Sequence, residues 1–289
     1  MEQQLNLLTE ARGSFSDLDS VVEQLVYSSL QLAMKTHRFV KGRHNAKTLA
    51  FLKACVSYAH ITIPSLDSYI VQFRLFALAC QVALLNGLVG EAESLFKSAI
   101  SIVEQLDRED LMVQAEPTLK HLVHLLVFIP ENPDSTSGFC ILANGCYNAC
   151  NQLPQDKYKH FKLNTALALL DFTATQMQPK LPFHIFRVDS NDSLMAGSLE
   201  YKGDCLALTE VLLTDLIEFI STLQDLKASA RVNPTQGDFE AAMRIFFSLK
   251  RVFEENTEQV GKLERKIYDL CRTRDPRAAE VKAMEKALS

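Results

Sequence analysis

At 289 residues the chain exceeds what one hydrophobic core usually holds, so it either divides or grows lengthwise by repetition. With 47% hydrophobic and 22% charged residues but only 10 Gly and 9 Pro, it has few places to turn and is expected to be built from long elements. A net charge of -5 gives no general attraction to DNA, RNA or an anionic membrane, and no stretch approaches the ~20 apolar residues of a membrane span.

Apolar residues recur at three and four throughout and almost nowhere at two, which predicts an all-α fold. In chain order, Ser16 with Asp19 reads as a capping-box start for a helix to about Thr36. The basic turn Lys41-Gly42-Arg43-His44 follows, then a helix from Asn45 to about His60 that Pro64 closes. Ser68 to Leu85 is apolar on two faces, the mark of a helix buried between neighbours. Asn86-Gly87 ends it with left-handed residues. The next helix carries a single stripe, Ala92, Leu95, Phe96, Ala99, Ile100, Val103 and Leu106, so the two form an antiparallel hairpin in which Phe76 and Phe96 are expected to pack. Helices follow near Thr118 to Ile129, Gly138 to Asn151 and Asp156 to Met177.

The pattern then breaks at Pro179 to Gly197, the longest irregular segment. It resumes from Leu199 to about Leu226, Asp238 to Glu254 and Thr257 to Cys271. Asp275-Pro276 starts a weak last helix through Val281, Met284 and Leu288. The expectation is an α-solenoid of about five HEAT-like helical hairpins over residues 1–274, with a weak terminal helix or tail at 275–289. A compact helical bundle is the alternative.

Candidate chemistry is sparse. His121 and His124 are one turn apart, a spacing that can serve a metal, but Leu122-Val123 replaces the general-base position of a zinc-protease helix and no third ligand is evident. Cys146 and Cys150, with Cys140 upstream, lack the partner pair of a zinc knuckle. The seven cysteines are scattered among apolar neighbours and read as reduced core residues. Gly87 to Gly90 joins two helices and lacks the strand of a phosphate loop. Neither a catalytic residue nor a cofactor or metal site is indicated. Met1-Glu2-Gln3-Gln4 lacks the basic and apolar parts of a signal peptide, so a cytosolic location is expected.

Several strings are similar to one family in colinear order over roughly residues 10 to 200: Leu32-Ala33-Met34, Lys41-Gly42, Ile61-Thr62-Ile63-Pro64-Ser65-Leu66, Gln81-Val82-Ala83-Leu84, Ala99-Ile100-Ser101 and Val188-Asp189-Ser190-Asn191-Asp192-Ser193-Leu194. They resemble the carboxy-terminal third of the vacuolar protein sorting 35-like subunit of the Retriever complex. Past residue 200 the resemblance is helical pattern alone. It implies a curved non-enzymatic scaffold whose concave face holds vacuolar protein sorting 29. The assembly recycles membrane proteins from endosomes, docks with coiled-coil subunits of the Commander assembly, and reaches the endosomal membrane through its partners. An arrestin-like partner, held by the amino-terminal part of such proteins, is not expected on this chain. A helical-repeat adaptor of another machine, or a helical metal-dependent hydrolase, are the competing classes.

The break at Pro179 to Gly197 coincides with the strongest of these strings and pairs apolar residues with a polar run. Phe183, Phe186, Asp189, Asn191 and Asp192 are therefore the candidate partner-binding residues. The competing reading is a clasp, with the phenylalanines covering a groove and the polar run capping the next helix.

Overall fold

The computed structural model describes residues 2–106, 108–134, 138–181, 183–229, 234–253, 258–274 and 279–288. Among them lie thirteen α-helices, one short 3-10 helix (Ile63–Ser65) and no strand. The α-helices are α1 (Glu2–Ser14), α2 (Asp19–Val40), α3 (Ala46–Thr62), α4 (Tyr69–Leu85), α5 (Val89–Val103), α6 (Glu109–Leu126), α7 (Ile141–Asn151), α8 (Gln155–Gln176), the single turn α9 (Asn191–Leu194), α10 (Leu199–Ser229), α11 (Gln236–Val252), α12 (Glu258–Arg272) and α13 (Ala279–Leu288). The start of the last helix expected at Asp275-Pro276 lies outside the described residues.

The helices pack in two rows. One runs α2, α4, α6, α8, α11, α13 and the other α1, α3, α5, with α7 on α5 and α12 on α10. Tyr147 on α7 donates a 2.8 Å hydrogen bond to Asp215 on α10, joining the second row across that step. Across the rows α2 pairs with α3, α4 with α5, α6 with α7, α8 with α10 and α11 with α12. Five hairpins are thus stacked so that each touches its neighbours, the order in which repeats bury a face that none could bury alone.

The α4/α5 hairpin shows how sequence sets this arrangement. Phe73, Leu75, Phe76, Ala79, Cys80, Val82 and Ala83 bury both faces of α4, whereas α5 buries one face through Ala92, Leu95, Phe96, Ala99 and Val103 and leaves Lys97 near Glu93 outside. Phe76 and Phe96 are both buried in this hairpin, and Phe76 meets the His60 ring edge-on at 5.8 Å. The turn closes as a Schellman motif: Leu88 N–H donates to Ala83 O and Gly87 N–H to Leu84 O, both at 2.9 Å. Only Gly87 takes the left-handed conformation (φ 71°), which a Cβ disfavours. Asn86 stays at φ -97° and instead turns its amide back onto Val82 O at 2.7 Å.

Two local expectations are corrected. The Ser16–Asp19 capping box does not form: Leu18 is the N-cap residue, and the Asp19 carboxylate accepts the Asp67 N–H at 3.0 Å, tying α2 to the α3–α4 connection. The capping box sits one helix later, where Asn45 and Thr48 exchange 2.9 Å bonds at the start of α3. Helix α6 begins nine residues before Thr118, at Glu109, and carries Pro117 inside it. The carbonyl that Pro117 leaves without an amide belongs to Val113, on the solvent side at 67% exposure, where water can serve it.

All seven cysteines are buried and none forms a disulfide, and burial pushes the thiols of Cys55 and Cys80 up to about 12, so those two stay protonated core residues. In the last hairpins, Glu264 of α12 is completely buried and its carboxylate meets Lys250 Nζ of α11 at 2.9 Å. Val281 and Met284 seat α13 against α11 and α12.

Candidate functional site

The connection from α8 to α10 is far longer than the three-residue turn between α4 and α5, and it leaves its own hairpin. It runs back along the edge where the hairpins turn, as a strap. Its anchored end is held by Asn191, a residue only 2% exposed. The Asn191 side-chain oxygen accepts the Glu131 N–H at 2.7 Å, and its amide nitrogen lies 3.4 Å from both Ile129 O and Gln176 Oε1. Gln176 in turn accepts from Tyr201 Oη at 2.8 Å and donates to Val127 O at 3.3 Å. Two buried amides, Asn191 and Gln176, therefore join α8, α10 and the α6–α7 connection.

Beside it, Asp192 folds the strap on itself. Its carboxylate accepts the Leu181 N–H at 2.9 Å and the Ser190 hydroxyl, and stands 3.1 Å from His184 Nε2. Burial alone would raise its pKa. The Ser190, Leu181 and His184 donors outweigh that and hold it at about 2. Leu181 is buried next to this knot.

Farther along, the strap crosses two hairpin turns. A Cβ on Gly87 would lie 3.9 Å from Val188 Cγ2, and one on Gly42 3.9 Å from Phe186 Cδ1. Arg187, in the left-handed region at φ 62°, donates from Nη1 to the His44 carbonyl at 3.3 Å. Its guanidinium also lies 5.2 Å from the centre of the Phe186 ring. Beneath it, His37 Nδ1 is 3.2 Å from Asn86 Oδ1, and the His37 and His44 rings are 5.6 Å apart. Burial, then His37 and Arg187, lower the pKa of His44 and favour its neutral ring.

The five candidate residues divide by orientation. Asn191 and Asp192 turn inward and position the strap. Phe183 (72% exposed), Phe186 (61%) and Asp189 face out. Sequence reasoning missed Arg187, His44 and Asn86, whose roles depend on contacts between distant segments. The glycines at 42 and 87 were the local signal, since each sits where the strap passes closely.

His121 and His124 are exposed on α6, and burial of their inner faces lowers both pKa values. Among the described residues no three His, Cys, Asp or Glu side chains are placed to hold a metal ion, and no helix is long and apolar enough to cross a membrane. A groove of about 680 Å³ between α6, α8 and α11 is lined by Leu119, Asn164, Met243, Phe247 and the Asp171–Arg251 ion pair.

Comparison with known proteins places the whole arrangement. The profile of the VPS35L C-terminal domain matches residues 1–288, so the likeness continues through the helices after residue 200 and is not confined to the first two thirds. The VPS35 endosomal protein-sorting factor-like protein of Rattus norvegicus is 32% identical over 238 residues, 80% of this chain and 25% of that protein. Its Homo sapiens counterpart is 31% identical over the same length. The Drosophila melanogaster protein is 26% identical over 288 residues, 94% of this chain and 28% of that protein. The chain spans about a quarter of the length of these relatives. It belongs to the family of VPS35L C-terminal domains, the carboxy-terminal part of endosomal protein-sorting factors.

Proposed function

We propose that the chain is a non-enzymatic scaffold of a retromer-like recycling assembly, Retriever within Commander, and that its HEAT-like solenoid holds vacuolar protein sorting 29. Family membership supports the role in endosomal sorting. The observation that carries the contact is the strap: Phe183, Phe186 and Asp189 are exposed on a segment that Asn191, Asp192 and Arg187 fix in place. Preorganised aromatic side chains lose little conformational freedom on docking and are favoured at interface centres. The coiled-coil subunits of Commander use other parts of the stack, and attachment to the cytoplasmic side of endosomes comes through these partners. Calorimetric titration of the chain with purified vacuolar protein sorting 29 tests the reading. Saturable binding that weakens with Phe183→Ala and Phe186→Ala is expected, and absence of binding by the folded chain overturns it.

A further inference from the structure

We propose that the turn between α2 and α3 is a docking surface for an anionic lipid bilayer, a direct membrane contact beyond the partner-mediated attachment above. Residues 35–47 contain Lys35, Arg38, Lys41, Arg43 and Lys47 and no Asp or Glu. All five cations are exposed, and none forms an ion pair with a carboxylate among the described residues. In their midst Phe39 is 83% exposed, one helical turn from Lys35 on the same face of α2. Arg187 arrives from the strap and adds a sixth cation over the turn.

Charge complementarity names the occupant. The net charge of -5 does not oppose it, because beyond about 10 Å charges are screened at ordinary salt and the bilayer responds to the local patch. Asp189 is the exposed acid of the strap on this edge, and it follows Val188, the residue that passes Gly87 of the next hairpin. An acidic protein would also be attracted, but a protein partner holds an aromatic anchor in a shaped pocket of matched surfaces. Here Phe39 projects at 83% exposure with the exposed Phe186 ring beside Gly42 of the same turn, and residues 35–47 stand apart from the grooves along α6, α7, α8 and α11. A projecting ring ringed by long cationic side chains suits the headgroup region of a bilayer, where the ring inserts and the cations reach phosphate.

Flotation of the full chain with vesicles of phosphatidylcholine alone, or with phosphatidylserine added, tests this without any protein partner present. Binding to the anionic vesicles only, weakened by salt, is expected. Arg38→Glu/Arg43→Glu should reduce it by about 30-fold or more, from the attraction per basic residue at such a surface. Phe39→Ser should reduce it at low and at high salt alike. Phe183→Ala should leave lipid binding unchanged while weakening vacuolar protein sorting 29, so the two readings fail separately. Equal binding to both vesicle types, full binding by the double reversal with an unchanged melt, or binding to soluble polyglutamate but not to vesicles each overturns the bilayer assignment.

Discussion

Arg187 Nη1 and the His44 carbonyl oxygen meet at 3.3 Å although 143 positions separate them in the chain. The bond fastens the connection of the fourth hairpin to the turn of the first. Arg187→Ala removes the donor and the cover of the Phe186 ring together. Because the site is exposed, the melt should shift little, by about 0.5 kcal/mol or less, while amide exchange of residues 183–189 accelerates. Unchanged exchange there would show that the strap is held without it.

The strap's anchor and its exposed face should separate under mutation. Asn191→Ala leaves the Glu131 N–H without its partner in a part-buried place, at a cost of about 1–3 kcal/mol of stability. Phe186→Ala removes a side chain that is mostly in water, so stability should change by about 0.5 kcal/mol or less. Its cost in affinity for vacuolar protein sorting 29 should be roughly 1–2 kcal/mol. Parallel melts and titrations decide. A large fall in melting temperature for Phe186→Ala would make it a covering residue.

The pH dependence of the knot follows from Asp192. Its folded pKa of about 2 lies below the ordinary 3.8, so the ionised carboxylate stabilises the strap fully above that ordinary value. The contribution is lost as pH falls through the folded value towards 2. Hydrogen exchange at Leu181, whose amide Asp192 accepts, should rise relative to that of α4 across this window. In Asp192→Asn the same amide should lose that acid dependence.

In the core, Phe96 is 1% exposed, and Phe96→Ala should cost about 3–5 kcal/mol. A melting temperature equal to the parent's would contradict its burial.

The Lys250–Glu264 pair makes a different forecast. Lys250→Met strands a fully buried carboxylate and should cost about 3 kcal/mol. Lys250→Met/Glu264→Leu removes both charges and should recover most of that loss. A double variant as unstable as the single one would mean that packing, not charge, sets the effect.

How much of this could be read from the sequence depended on range. Helix α5 and the two-faced α4 were legible because their apolar spacing is local, and the Asn86-Gly87 stop was legible because a left-handed residue after a helix favours Gly. Helix α1 was not foreseen, since Leu5 and Leu8 only partly bury against the rest of the stack and its residues are mainly polar. The first half of α6 was hidden by Glu109, Asp110, Glu116 and Pro117, a composition that locally reads as a connection. The Ser16–Asp19 pattern has the right spacing for a cap, but Asp19 finds the Asp67 amide, a partner 48 positions away. The polar run from Asp189 to Ser193 stands out by composition, yet nothing local distinguishes Asn191, which turns in, from Asp189, which turns out. That difference is set by Glu131 and Ile129, more than fifty positions earlier.

The strap also changes how the stack comes apart. In a row of hairpins that touch only their neighbours, the outermost can peel away alone, and each step of fraying costs one interface. Here the first hairpin's turn is tied to a segment that leaves from the fourth, and the second hairpin's turn lies beneath the same segment. Unzipping from the amino-terminal end must break that lateral tie as well as the face-to-face packing. The first, second and fourth hairpins thereby share a lateral contact in addition to their face-to-face packing.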